Sequence, residues 1–202
     1  MVFMSKKTTI FMGRSGCGKG TQAKLYAEAL KKNDPKQAML YVETGALFRE
    51  FVAGNGYSQT LAQEIMEKGG REPDFLAVYL WSRALIEKLN GEEHLIIDGS
   101  PRSLNEAKML DTALSFYGRA ADVVYLDVSR EWSMARLVER GRADDKSMKE
   151  NEERMNWFES DVMPAVLHYQ NHPSHKFFSI SGERSIAEVA ADILKQIFHG
   201  NI

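Results

Sequence analysis

Five short apolar runs punctuate the chain, at 8–12, 38–43, 94–98, 121–128 and 176–180. Each is continuous rather than alternating, the pattern of a strand buried on both faces. Between them lie longer stretches with apolar residues at helical spacing, at 23–30, 59–68, 74–89, 104–116, 131–139, 156–169 and 186–198. In the 74–89 stretch the apolar positions are Phe75, Leu76, Val78, Tyr79, Leu80, Leu85, Ile86 and Leu89, which predicts one long helix. Strand-sized runs alternating with helix-sized ones predict an α/β fold: a five-stranded parallel, doubly wound sheet with helices on both faces.

Breaker residues refine the elements. Lys31-Lys32-Asn33-Asp34-Pro35 ends the first helix. Pro164 falls inside the 156–169 stretch and predicts a kink or a joint there. Gly54, Gly56, Gly69, Gly70 and Pro73 bracket a small helical run, which reads as a hinged insertion.

Composition then removes several classes of function. The chain has 202 residues, enough for a single domain, and 44% of them are hydrophobic. A net charge of −2 gives no general basic footprint for nucleic acid. No apolar run approaches the roughly 20 residues of a membrane span, and the first residues lack the apolar stretch of a signal peptide, so a soluble cytoplasmic protein is expected. Cys17 is the only cysteine, so no internal disulfide and no four-cysteine structural zinc site can form. His168, His172 and His175 lie close together, but no carboxylate at ligand spacing accompanies them and Pro173 breaks the helix, so they read as surface residues. The acidic run Glu150-Asn151-Glu152-Glu153 reads as a solvated helix face.

One stretch carries chemistry directly. Gly13-Arg14-Ser15-Gly16-Cys17-Gly18-Lys19-Gly20-Thr21 joins the first strand to the first helix. A glycine loop in that position can turn its backbone N–H groups onto a phosphate at the helix N-terminus, with Lys19 reaching the distal phosphates. The competing reading is a glycine-rich turn with a surface lysine. Two other segments allow a similar choice. Thr44-Gly45-Ala46-Leu47-Phe48-Arg49 is either an ordinary helix start or a phosphate-binding helix. Asp98-Gly99-Ser100-Pro101-Arg102 is either strand-to-turn punctuation or a carboxylate and a guanidinium fork set beside the glycine loop.

In their order along the chain, these motifs resemble those of adenylate kinase and its nucleoside monophosphate kinase relatives. The likeness runs from Thr8 to Phe198. It implies the P-loop nucleoside-triphosphate-binding fold, strand order 2-3-1-4-5, one kinase domain over 1–202, a flap at 44–73 that binds the monophosphate, and a minimal lid at 140–145. It implies ATP binding by Gly16, Cys17, Gly18, Lys19, Gly20, Thr21, Arg136, Arg140 and Gly182. AMP would be held by Thr44, Gly45, Arg49, Arg71, Glu72, Gly99, Arg102, Glu106, Arg142 and Arg154. Lys19, Arg102, Arg140, Arg142 and Arg154 would form the catalytic set, and Asp98 would hold Mg2+ through water. ATP, AMP and ADP are the partners implied, with a monomer as the default state.

The chain departs from the family pattern at several points. Ser100 replaces a phenylalanine, Arg71 and Glu72 replace an apolar pair, the lid between Arg140 and Arg142 shrinks to Gly141, and Arg154 stands one residue late. Glu106 occupies a position where glutamine commonly reads the acceptor base. A carboxylate only accepts hydrogen bonds, which by itself suits guanine, whereas glutamine also donates; against that stands Thr44, which the family's adenine-specific members carry, so AMP is expected to be preferred, with looser discrimination than glutamine would give. The implied reaction is reversible transfer from Mg·ATP to AMP, giving two ADP. The alternatives are a kinase for CMP, UMP or GMP and a P-loop switch that transfers nothing.

Overall fold

The computed structural model describes residues 6–68, 70–141 and 148–199. Its element order is β1 (Thr8–Gly13), α1 (Lys19–Asn33), β2 (Met39–Glu43), α2 (Thr44–Val52), α3 (Tyr57–Glu67), α4 (Asp74–Lys88), β3 (His94–Asp98), α5 (Leu104–Phe116), β4 (Asp122–Asp127), α6 (Arg130–Arg140), α7 (Met148–Trp157), a π-helical turn (Phe158–Val162), α8 (Met163–Gln170), β5 (Lys176–Ser181) and α9 (Ile186–His199). The five strands form one sheet in the order β2-β3-β1-β4-β5, and every pairing is parallel. Fold class and strand order are those the sequence predicts. No described helix is long and apolar enough to cross a membrane.

Period-two alternation sorts the side chains of the central strands between two cores. Ile10, Met12, Leu95, Ile97, Val123 and Tyr125 face one way, onto Trp81, Leu110, Leu114 and Val166 of α4, α5 and α8. Phe11, Ile96, Val124 and Leu126 face the other way, onto Tyr26 and Leu30 of α1 and Ile193 and Ile197 of α9. Emptying such a site, as in Leu→Ala, costs about 2–5 kcal/mol. A separate cluster of Phe48, Ala62, Leu76, Ala77 and Leu80 packs α2 and α3 against α4.

Some elements differ from the pattern reading. β2 is a half-buried edge strand rather than a fully buried one, because only β3 pairs with it. α4 is apolar on more than its buried side: Trp81 and Ala84 enter the core, while Phe75, Tyr79 and Ile86 are exposed. The 156–169 stretch is jointed. α7 ends at Trp157, the π turn follows, and Pro164 sits in the first turn of α8. The wider turn ahead of Pro164 suits its missing N–H, so proline marks the joint. In the acidic run Asn151 is buried, not solvated.

This topology brings the carboxyl ends of the strands to one edge. Phe11 pairs with Asp98, Asp98 with Glu43, Gly13 with Leu126, and Asp127 with Ser181. Ligands of open α/β sheets bind outside that edge, where the strand order reverses.

Candidate active site

β1 ends at Gly13, and the chain turns through 14–18 into α1. Gly13, Gly16 and Gly18 have φ of +146°, +86° and +92°. These are conformations that cost little only for glycine. Space requires glycine as well at the first two: a Cβ at Gly13 would lie 2.8 Å from the Leu126 carbonyl oxygen, and one at Gly16 would lie 2.7 Å from that of Ser133. Gly18 caps α1 without a side-chain hydrogen bond, and the first turn holds no acidic residue. The free N–H groups and the positive end of the helix dipole are therefore left for an external anion. Lys19 folds over the loop, its Nζ donating to the carbonyls of Gly13 and Arg14, both at 2.9 Å. Cys17 is buried in the loop, and burial pushes its thiol above its usual pKa even with Lys19 beside it.

Asp98 closes β3 and is buried. The Tyr41 hydroxyl donates to its Oδ2 at 3.0 Å. Burial raises the Asp98 pKa above the ordinary aspartate value, and the nearby Lys19 opposes the rise. Gly20 has a local reason to be glycine, since a Cβ there would come within 3.3 Å of Asp98 Oδ2. Asp98, Gly20 and Thr21 line the same cleft as the phosphate loop. An oxygen donor beside a phosphate cradle suits a hydrated hard cation such as Mg2+.

Two clefts meet at the loop and share Ser15, Lys19, Gly45, Arg49 and Gly99. The first adds Phe48, Gly70, Glu72, Arg102, Arg154 and Trp157. In it Arg102 places its guanidinium 4.7 Å over the Phe48 ring and donates from Nη1 to Glu72 Oε2 at 2.9 Å. Its Nε and Nη2 are buried and without a partner among the described residues. Buried donors without partners are costly, so a guanidinium edge held this way is built for an anionic ligand. Arg49 is exposed and pairs with Glu43 at 2.8 Å. Arg154 lines this cleft from α7 despite its late spacing. The second cleft adds Trp132, Arg136, Gly182 and Arg184. Arg136 sits 5.0 Å over the Trp132 ring. A Cβ at Gly182 would meet Val128 Cγ1 at 2.6 Å, so the backbone there passes close under the cleft.

Not every expected residue faces a cleft. The Arg71 side chain is held by Asp74 at 2.5 Å and Asp161 at 2.8 Å. Neighbouring Glu72 lies in the cleft as the partner of Arg102. Glu106 is fully buried and lies off the walls of both clefts. Its Oε1 accepts from Trp81 Nε1 at 3.1 Å and from the Ser100 hydroxyl at 2.6 Å, and its Oε2 accepts from the Arg102 backbone N–H at 2.6 Å. The Thr44 hydroxyl lies 2.7 Å from Ser100 Oγ. Thr44 is likewise buried and off both cleft walls, and the three side chains form a buried chain, Thr44–Ser100–Glu106. Arg142 and the Asp144–Asp145 pair, with most of the lid, lie outside the described residues, as does the Arg140 side chain at the end of α6. Sequence reasoning missed Tyr41, Ser100 and Arg184. Only Ser100 carried a signal, its departure from the family motif.

The comparisons agree with this geometry. The adenylate kinase family model matches residues 11–174. "Adenylate kinase 1" of Nostoc sp. is 31% identical over 91% of this chain and 95% of its own length. "Adenylate kinase 1" of Synechocystis sp. is 32% identical over 95% of this chain and 97% of its own. "Adenylate kinase" of Prochlorococcus marinus is 32% identical over 93% and 97%. With a glycine-built phosphate loop, a buried acid beside it and a second arginine-lined cleft, in a sheet of the expected strand order, the chain belongs to the adenylate kinase family.

Proposed function

We propose that the protein transfers the terminal phosphoryl group of Mg·ATP to AMP, giving two ADP, and runs the reaction in both directions. The observation that carries this reading is the free, buried edge of Arg102 in a cleft that joins the phosphate-loop cleft at Lys19. A nucleotide switch needs one phosphate site. Two that meet at one lysine suit transfer between nucleotides.

Phosphoryl transfer asks for in-line positioning and charge neutralisation rather than covalent catalysis. The loop amides and Lys19 hold the donor phosphates, with Arg136 and the backbone at Gly182 on the donor wall. Arg102, Arg49 and Arg154 hold the acceptor phosphate, and Arg140 and Arg142 complete the charge around the transferred group. The acceptor oxygen is already anionic and needs no general base. Asp98 would hold Mg2+ through water, and the ion would supply positive charge to the phosphate oxygens. Closure of the 44–73 flap, whose α2 and α3 pack on α4, keeps water from the phosphoryl group.

AMP as acceptor is supported by the family to which the chain belongs. Thr44, like Glu106, is buried and lies off the walls of both clefts. The test is Arg102→Ala. Loss of a charge-assisted contact made to AMP alone should raise KM for AMP by about tenfold or more and leave KM for ATP nearly unchanged. Equal changes in both constants would remove Arg102 from the acceptor site.

A further inference from the structure

Three histidines and an aspartate converge on the face of the molecule formed by α5 and α8. Asp111 lies in the second half of α5, His168 in the last turn of α8, His172 just beyond it and His175 just before β5. His168 Nε2 lies 2.6 Å from Asp111 Oδ2, His172 Nε2 lies 3.6 Å from the same oxygen, and His175 Nε2 lies 3.3 Å from Asp111 Oδ1. The carboxylate that sequence spacing did not reveal is supplied by another helix, so the histidines are not scattered surface residues.

We infer that Asp111, His168 and His172 form a binding site for a divalent transition-metal ion, zinc by ligand type, which ties α5 to the end of α8. One ligand atom from each of the three lies within 4.8 Å of the others. Zinc bound at about 2.0–2.1 Å by nitrogen and carboxylate oxygen sets its ligand atoms roughly 3.3 Å apart, so the cluster needs only small side-chain movements to close around an ion. Two imidazoles and one carboxylate favour zinc, nickel or copper and disfavour magnesium, which prefers oxygen.

The hydrogen bonds sort the histidines into different roles. His175 Nδ1 accepts from the Ala121 N–H at 3.0 Å, so the proton of its neutral ring is on Nε2, facing Asp111 Oδ1. It is the outer partner that orients the carboxylate and leaves Oδ2 for the ion. His168 binds through the Nε2 that now faces Oδ2, the ion taking the place of its proton, which moves to Nδ1. His172 Nδ1 accepts from the exposed Ser174 N–H at 3.2 Å. Binding through Nε2 moves the His172 proton to Nδ1 and gives that N–H to water.

The test uses untagged full-length protein, stripped with chelator and titrated with zinc chloride in magnesium-free buffer by calorimetry. The expected result is one zinc per chain. Zinc at about one hundred times its dissociation constant should raise Tm by about 5–10 °C. His172→Ala, a half-buried position past the helix end, should weaken binding by about 100-fold or more, since even outer partners cost ~10–100-fold. It should keep the zinc-free Tm nearly unchanged. Asp111→Asn should lose binding as well, and if that variant fails to fold, His172→Ala carries the test. Cobalt in place of zinc should give the intense visible absorption of a tetrahedral site, which His172→Ala abolishes. No saturable zinc binding, or binding that His172→Ala leaves intact, would overturn the inference.

Discussion

Ser100 Oγ lies 2.6 Å from Glu106 Oε1 and 2.7 Å from Thr44 Oγ1, so one buried hydroxyl joins the carboxylate to the threonine that opens the flap. Three donors fall on the two Glu106 oxygens. A glutamine offers one oxygen and one amino group, so at least one donor must then face another donor. Glu106→Gln should destabilise the protein by about 1–3 kcal/mol, measured by urea unfolding. An unchanged unfolding midpoint with a sharper AMP preference would restore Glu106 as a direct reader of the base.

Lys19 is half-buried and bound to two loop carbonyls, not extended into solvent. Its replacement by methionine removes the charge that faces the donor phosphates and frees two carbonyls beside the open cleft, where water can reach them. Lys19→Met should lower kcat by about 10²-fold or more, with a stability change within about 1 kcal/mol. Near-normal kcat would remove the loop from the chemistry.

Asp98 couples activity to stability with opposite signs. Its folded-state pKa is raised, chiefly by burial, so the folded protein holds this proton more tightly than the unfolded chain does. The ionised form therefore costs stability, and that cost is incurred as pH rises from the unfolded value of about 3.9 through the raised folded value. Orientation of Mg2+ needs the ionised form. Asp98→Asn should be at least as stable as the parent at pH 7, yet lose activity by about 10²-fold, and the parent's acid limb in kcat/KM, which reports the free enzyme, should lie above the ordinary aspartate range. Equal loss of stability and activity would make Asp98 a structural residue.

The sheet and the phosphate loop were legible for a physical reason. Buried parallel strands write continuous apolar runs, and a loop that needs positive φ at Gly13, Gly16 and Gly18 writes glycine at each position. Partner choice is written nowhere locally. Arg71 is captured by Asp161 from the π turn, and Glu106 is claimed by Trp81 of α4 and by the turn after β3. His168 meets Asp111 across two helices. The Arg71–Asp161, Glu106–Trp81 and His168–Asp111 contacts each join segments far apart in the chain, and spacing along one helix cannot foresee them. The exposed apolar face of α4 misled for a related reason: Phe75 and Tyr79 fit the helical period as well as Leu76 and Leu80 do, and only tertiary packing chooses between them.

The central claim is transfer from ATP to AMP through two clefts that meet at Lys19. Its most direct measurement is the product stoichiometry from Mg·ATP with and without AMP, followed by separating the nucleotides and assaying free phosphate. The account predicts two ADP formed for each ATP consumed when AMP is present, no free phosphate above background, and only slow ATP hydrolysis when AMP is omitted. ATP consumption that AMP does not accelerate, or phosphate released one for one with ADP, would contradict it.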